Sequence, residues 1–182
     1  MAGGNKSKNK GNAGERELCR LFEGVFGGSF QRVFTSGAFT GGKNAYRRGI
    51  LSDTQIKASK GDIITPDHLP HLVLESKFYA EFPYHQFITP TPIKLLDTWI
   101  GQTLDAVDEG DFWMLAFRAN RREWAACFDA KLKDQFVLPS YIVYTAESGI
   151  QYVVTNLVQF ITDNKATIER LSDKANADVP AS

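Results

Sequence analysis

The stretch from Gly61 to Lys77 constrains this chain most, because it demands two short strands and then sets charges inside one of them. Ile63 and Ile64 are β-branched strand formers, Pro66, Asp67 and Pro70 mark a loop, and Leu72-Val73-Leu74 opens an apolar strand. Side chains alternate faces along a strand, so Leu72, Leu74, Ser76 and Phe78 point one way and Val73, Glu75 and Lys77 the other. A charge set in an apolar strand is costly unless something pairs or coordinates it. If the preceding strand pairs alongside, Asp62 arrives beside Glu75, and two carboxylates then share a site with the Lys77 ammonium. Hard oxygen donors of this kind suit Mg²⁺ or Mn²⁺. Such a trio fits displacement at a phosphodiester, where charge develops on phosphoryl oxygens. The plainer alternative is two solvated charges on the polar face of an amphipathic strand, preceded by a Gly-Asp turn.

These residues carry a family resemblance. Asp62 followed by Glu75-Ser76-Lys77 resembles the motif of the PD-(D/E)xK nuclease superfamily, and Gly14-Glu15-Arg16-Glu17-Leu18 resembles the opening helix of archaeal-type and phage Holliday-junction resolvases. The resemblance spans roughly residues 12–118. It implies an α/β fold, a central mixed β-sheet flanked by helices as in restriction endonucleases. It also implies an active site of Glu15, Asp62, Glu75 and Lys77, with Mg²⁺ (or Mn²⁺) held by the three carboxylates and the Ser76 carbonyl. Gln102 stands where several relatives place a glutamine on the helix after the E-x-K strand, and a surface amide is the other reading. Gly61 replaces the proline that names the motif. The implied activity is a metal-dependent, structure-selective DNA endonuclease acting as a homodimer on branched or duplex DNA. A sequence-specific restriction-type or nicking enzyme, or an inactive DNA-binding module of the same fold, are the alternatives.

Charge distribution agrees with a polyanionic partner. The formal net charge is zero, yet residues 1–60 hold eleven Lys and Arg against four Asp and Glu, and the remainder holds ten against seventeen. Arg16, Arg32, Lys43, Arg47, Arg48, Lys57 and Lys60 are the expected DNA contacts, with Ser36 resembling the serine of the resolvases' mobile loop. Residues 36–60 form a long Gly-rich basic insertion of the kind that serves a function or stays disordered. Residues 1–12, nearly devoid of apolar side chains, are expected as a flexible basic arm, and residues 173–182 as a disordered tail, leaving 13–172 as one nuclease domain.

Within that domain, Leu18, Leu21, Phe22, Val25 and Phe26 predict a helix over 13–26 stopped by Gly27-Gly28, with Glu15 bordering its apolar side. Ser29–Phe34 reads as a weak strand. Tyr79, Phe82, Tyr84, His85 and Phe87 read either as a platform for bases or as packing for a loop. A helix is expected from Pro92 to Gly110, then strands 112–117 and 123–128 around an Arg118–Arg122 turn, a hairpin of 141–145 and 151–155, and a helix capped by Asn156. Cys19 and Cys127 fit no disulfide or zinc pattern and read as buried thiols in a reducing cytoplasm, of a bacterial cell or a phage-infected host. No transmembrane run, signal peptide, Walker A loop or dinucleotide fingerprint occurs, so neither a membrane nor a nucleotide cofactor is expected.

Overall fold

The computed structural model describes residues 3–33 and 60–173, with side chains from residue 11 onward. Helix α1 (Gly3–Phe26) buries Leu18, Cys19, Phe22 and Phe26 and ends where Gly27 and Gly28 turn to φ of 71° and 75°. Positive φ suits glycine, so the chain reverses there at little cost. The helix begins earlier than its apolar stripe: residues 3–12, expected as a flexible arm, form its first turns. Adding a residue to an existing helix gains one hydrogen bond for one residue fixed, and polar turns need no buried face. Gly14 brings α1 onto the sheet, for a Cβ there would stand 3.1 Å from that of Phe78 and 3.3 Å from the Trp124 ring.

Seven strands make one mixed sheet: β1 (Gln31–Arg32), β2 (Ile63–Ile64), β3 (Leu72–Tyr79), β4 (Phe112–Ala119), β5 (Ala125–Asp129), β6 (Tyr141–Thr145) and β7 (Gln151–Asn156). Their order is β1-β2-β3-β4-β5-β7-β6, with β3 and β4 parallel and the other neighbours antiparallel. Leu72, Leu74, Met114, Ala116 and Phe128 face α1 and the pair α3 (Leu157–Asp163) and α4 (Lys165–Leu171). Val73, Leu115, Phe117 and Val154 face the other way, under Ile93 and the buried Leu96, Trp99 and Ile100 of α2 (Lys94–Leu104). Period-two alternation therefore builds both cores from the same strands. This is the α/β arrangement, a mixed sheet between helices, that the resemblance implies. Cys19 and Cys127 are buried and free.

Three boundaries differ from the sequence pattern. Helix α2 stops at Leu104 rather than Gly110, because residues 103–107 tighten into turns (Ala106 N–H to Thr103 O, Val107 N–H to Leu104 O) that bring Phe112 against His71. Leu104, expected on the buried face, is consequently exposed. The last helix, capped by Asn156 as expected, breaks in two at Asn164, whose buried amide bonds the backbone of Val137 and Phe160. Arg118 lies within β4 and not at the turn; both its terminal nitrogens bond Glu17, and its guanidinium lies over the rings of Phe78 and Trp124.

Candidate active site

Pairing of β2 with β3 through Ile63 and Leu74 sets Asp62 opposite Glu75, one step along the same register. The Asp62 amide donates to the Leu74 carbonyl at 2.9 Å, and its Oδ2 accepts from the Ser76 amide at 3.0 Å. Gly61 makes this approach possible. It sits at φ +65°, and a Cβ there would lie 2.4 Å from the Leu74 carbonyl oxygen. Proline, locked near φ −65°, cannot adopt that conformation. The missing motif proline is thus explained by the backbone's path at this position.

Glu75 and Lys77 share a face two residues apart, and the Lys77 Nζ donates to Glu75 Oε1 at 2.7 Å. Both are largely buried, their side chains 11% and 17% exposed, while Ser76 points to the α1 face. Because the Ser76 N–H reaches the β2 edge and a strand residue's N–H and C=O point to the same edge, the Ser76 carbonyl faces that edge as well. β2 is only two residues long, so the end of β3 beyond it has no β2 partner.

Burial and then the Glu75 charge push the Asp62 carboxyl up to about 7, against the opposing pull of Lys77 and the Ser76 amide. Burial alone would lower Lys77, but Glu75 and Asp62 more than offset it, and its pKa is raised. Lys77 is therefore a fixed ammonium at neutral pH, suited to offsetting charge and not to accepting a proton. Two carboxylates confront one ammonium in a largely buried place, which leaves the cluster short of positive charge. A hard divalent cation would supply it, and two carboxylates with a main-chain carbonyl are the donors that Mg²⁺ or Mn²⁺ takes.

Glu15 does not join this cluster. It is buried as expected, but its Oε2 accepts from the Arg32 Nε at 2.5 Å, and Arg32 also reaches the Asn12 side chain. The strand phase explains it: Arg32 pairs with Ile63, whose side chain lies in the α1 core, whereas Asp62 and Glu75 are one residue out of step. Among the described residues no group of three or more His, Cys, Asp or Glu side chains is arranged to hold a metal ion. Gln102 is exposed on α2, outside its buried Leu96, Trp99, Ile100 and Thr103.

The expected DNA contacts divide. Arg16 is exposed, Arg32 is engaged as described, and Lys60 is tied to Asp108 at 2.8 Å and Asp111 at 2.6 Å. Ser36, Lys43, Arg47, Arg48 and Lys57 lie outside the described residues. The Lys60 clamp was not anticipated. Asp111, almost fully buried, also meets His71 Nδ1 at 2.9 Å and accepts from the Asp108 amide, so it joins the start of β2 to those of β3 and β4. An aspartate immediately before the apolar run Phe112–Phe117 was the available signal. Of the aromatic cluster after β3, Phe82 packs against Trp99 and Phe117 in the core, while the Tyr84 hydroxyl accepts from the Ala119 amide.

Among the described residues no helix is long and apolar enough to cross a membrane. No match was found among curated proteins or among solved structures. A family model described as "Phage putative PDDEXK endonuclease" does match, over residues 6–170, a span that includes all but the first residues of α1, the Asp62–Glu75–Lys77 cluster and the whole seven-stranded sheet. The chain belongs to this family of phage PDDEXK endonucleases.

Proposed function

We propose that the protein is a divalent-metal-dependent DNA endonuclease whose cation is held by Asp62, Glu75 and the Ser76 carbonyl. The observation that carries this reading is the buried pair Asp62 and Glu75 beside Lys77, which lacks one positive charge. Bound there, Mg²⁺ or Mn²⁺ would polarise a phosphoryl oxygen and lower the pKa of a water. Glu75 holds the Lys77 ammonium in place through their 2.7 Å bond, aiming it at the charge that develops on the phosphate. Asp62 stays fixed by the Ser76 amide, so its second oxygen is oriented before substrate arrives. Glu15, held by Arg32, serves as a third acidic group only if that ion pair opens, and Gln102 is exposed on α2.

The substrate in this reading is branched DNA, cut in the manner of a Holliday-junction resolvase by a homodimer, with a sequence-specific or nicking activity as the alternative. Arg16 and the basic residues of 36–60 would hold the backbone. Four-way junction, nicked duplex and linear duplex incubated with the protein in Mg²⁺ and in EDTA decide among these. Paired symmetric cuts in the junction support the proposal, and site-dependent cuts in linear duplex favour the alternative. No cleavage of any of the three would overturn it.

A further inference from the structure

Strand β3 presents one more polar side chain on the face of Glu75 and Lys77. Alternation turns Val73, Glu75, Lys77 and Tyr79 the same way, and the Tyr79 ring meets that of Trp99 on α2, 4.8 Å between centroids, as that face requires. Trp99 is 1% exposed and Tyr79 44%, so the phenol rests one side on the core and stands otherwise in solvent. The hydroxyls of Tyr84 and Tyr144 are taken up by the Ala119 amide and by Asp97 and the Ile93 backbone. That of Tyr79 has no hydrogen-bond partner among the described residues. Burial lowers Lys77, Glu75 and Asp62 raise it, and Tyr79 adds to the rise, so the phenol lies within electrostatic reach of the ammonium.

These features suit a polyanion laid along the strand. Packing against Trp99 leaves the ring few orientations, so fixing its hydroxyl on a ligand costs little entropy. A phenol O–H donates, and an anionic oxygen makes that bond stronger than a neutral one does. Two residues of extended strand span roughly 7 Å, which is also about the separation of neighbouring phosphates on one DNA strand. With the Lys77 ammonium at the phosphate being cut, the Tyr79 hydroxyl falls to the phosphate beside it.

We propose that Tyr79 binds substrate, its hydroxyl donating to the phosphate adjacent to the one that is cut. The inference rests on the nuclease reading above and deepens it, giving the site a second backbone contact that fixes the register of the DNA strand beside Lys77. Tyr79→Phe removes the hydroxyl and keeps the ring on Trp99. In Mg²⁺, on whichever DNA the wild type cuts, the variant raises KM about tenfold, the share of one hydrogen bond to a charged group. Its kcat stays within about twofold, because a phosphate that takes no part in the reaction is held alike in the ground and transition states. A methylphosphonate, which removes one phosphate's charge, is then placed on either side of the mapped cut. At one of these two positions wild type and variant differ by less than about twofold in KM, while a methylphosphonate elsewhere in the strand leaves the full gap between them. An unchanged KM, a fall in kcat alone, or a gap that persists at both flanking positions overturns the proposal. If the wild type cuts nothing, four-way-junction binding in EDTA, read by fluorescence anisotropy, separates the two readings. Affinity about tenfold weaker in Tyr79→Phe then overturns the nuclease reading and leaves Tyr79 as a DNA contact, and equal affinities overturn both.

Discussion

Replacing Asp62 by asparagine isolates the electrostatic cost at the centre of the site. The amide keeps an oxygen to accept from the Ser76 N–H and occupies nearly the same volume, so packing changes little while the charge is removed. In the folded chain the Asp62 carboxyl titrates at about 7 against an ordinary 3.8, through burial first and Glu75 second. That difference corresponds to about 4 kcal/mol at 25 °C. A carboxyl whose folded pKa is raised holds its proton when folded and has already lost it when unfolded, across the window between the two values. Its penalty is absent below pH 3.8 and complete above about 7, so the metal-free protein loses stability as pH rises through that window. Asp62→Asn carries no such group. Urea unfolding in EDTA at pH 5 and pH 8 should therefore show the variant gaining on the wild type by about 2–3 kcal/mol between the two pH values, most of the full window. Mg²⁺ at pH 8 should return much of that loss to the wild type and little to the variant. A wild-type-to-variant difference that stays constant between pH 5 and pH 8 would refute the claim that Asp62 and Glu75 repel each other in a buried place.

Other substitutions separate chemistry from architecture. Glu75→Gln and Lys77→Met should each abolish cleavage in Mg²⁺ while branched-DNA binding in EDTA is retained, measured by gel shift and product analysis. Gly61→Ala forces a Cβ against the Leu74 carbonyl at positive φ, and chemical denaturation should show a loss of at least about 2 kcal/mol, with cleavage reduced because Asp62 is displaced. Asp111→Ala strands the Lys60 ammonium among fewer partners and should cost about 3 kcal/mol, a loss that thermal unfolding would detect without changing which DNA is cut.

Strand β3 was legible because its signal is local. Alternation along Leu72–Tyr79 assigns Glu75 and Lys77 to one face, and a neighbouring strand of β-branched residues brings Asp62 beside them; the register between Ile63 and Leu74 agrees. Glu15 shows the limit of such reasoning. Helical spacing placed it at the edge of the core, correctly, but whether it meets Asp62 depends on which side of the sheet α1 packs and on a two-residue strand carrying Arg32. Neither is a property of nearby sequence. In the sequence Gly61 shows only as a departure from the motif's proline, and the positive φ at that position is what excludes proline. The end of α2 and the break at Asn164 depend on contacts with His71 and Val137, distant in sequence, so periodicity carried each helix too far. In the same way the basic pattern that marks Lys60 as a DNA contact does not reveal its ion pairs with Asp108 and Asp111, some fifty positions later.

Titration of the protein with Mn²⁺ at pH 8, followed by electron paramagnetic resonance of the free ion, reaches the central question without relying on turnover. One ion per chain should be taken up by the wild type, with uptake falling as pH drops below about 7, where the Asp62 proton competes, and lost in both Asp62→Asn and Glu75→Gln. Uptake by neither wild type nor variant, or equal uptake by all three, would contradict a cation site built on these two carboxylates.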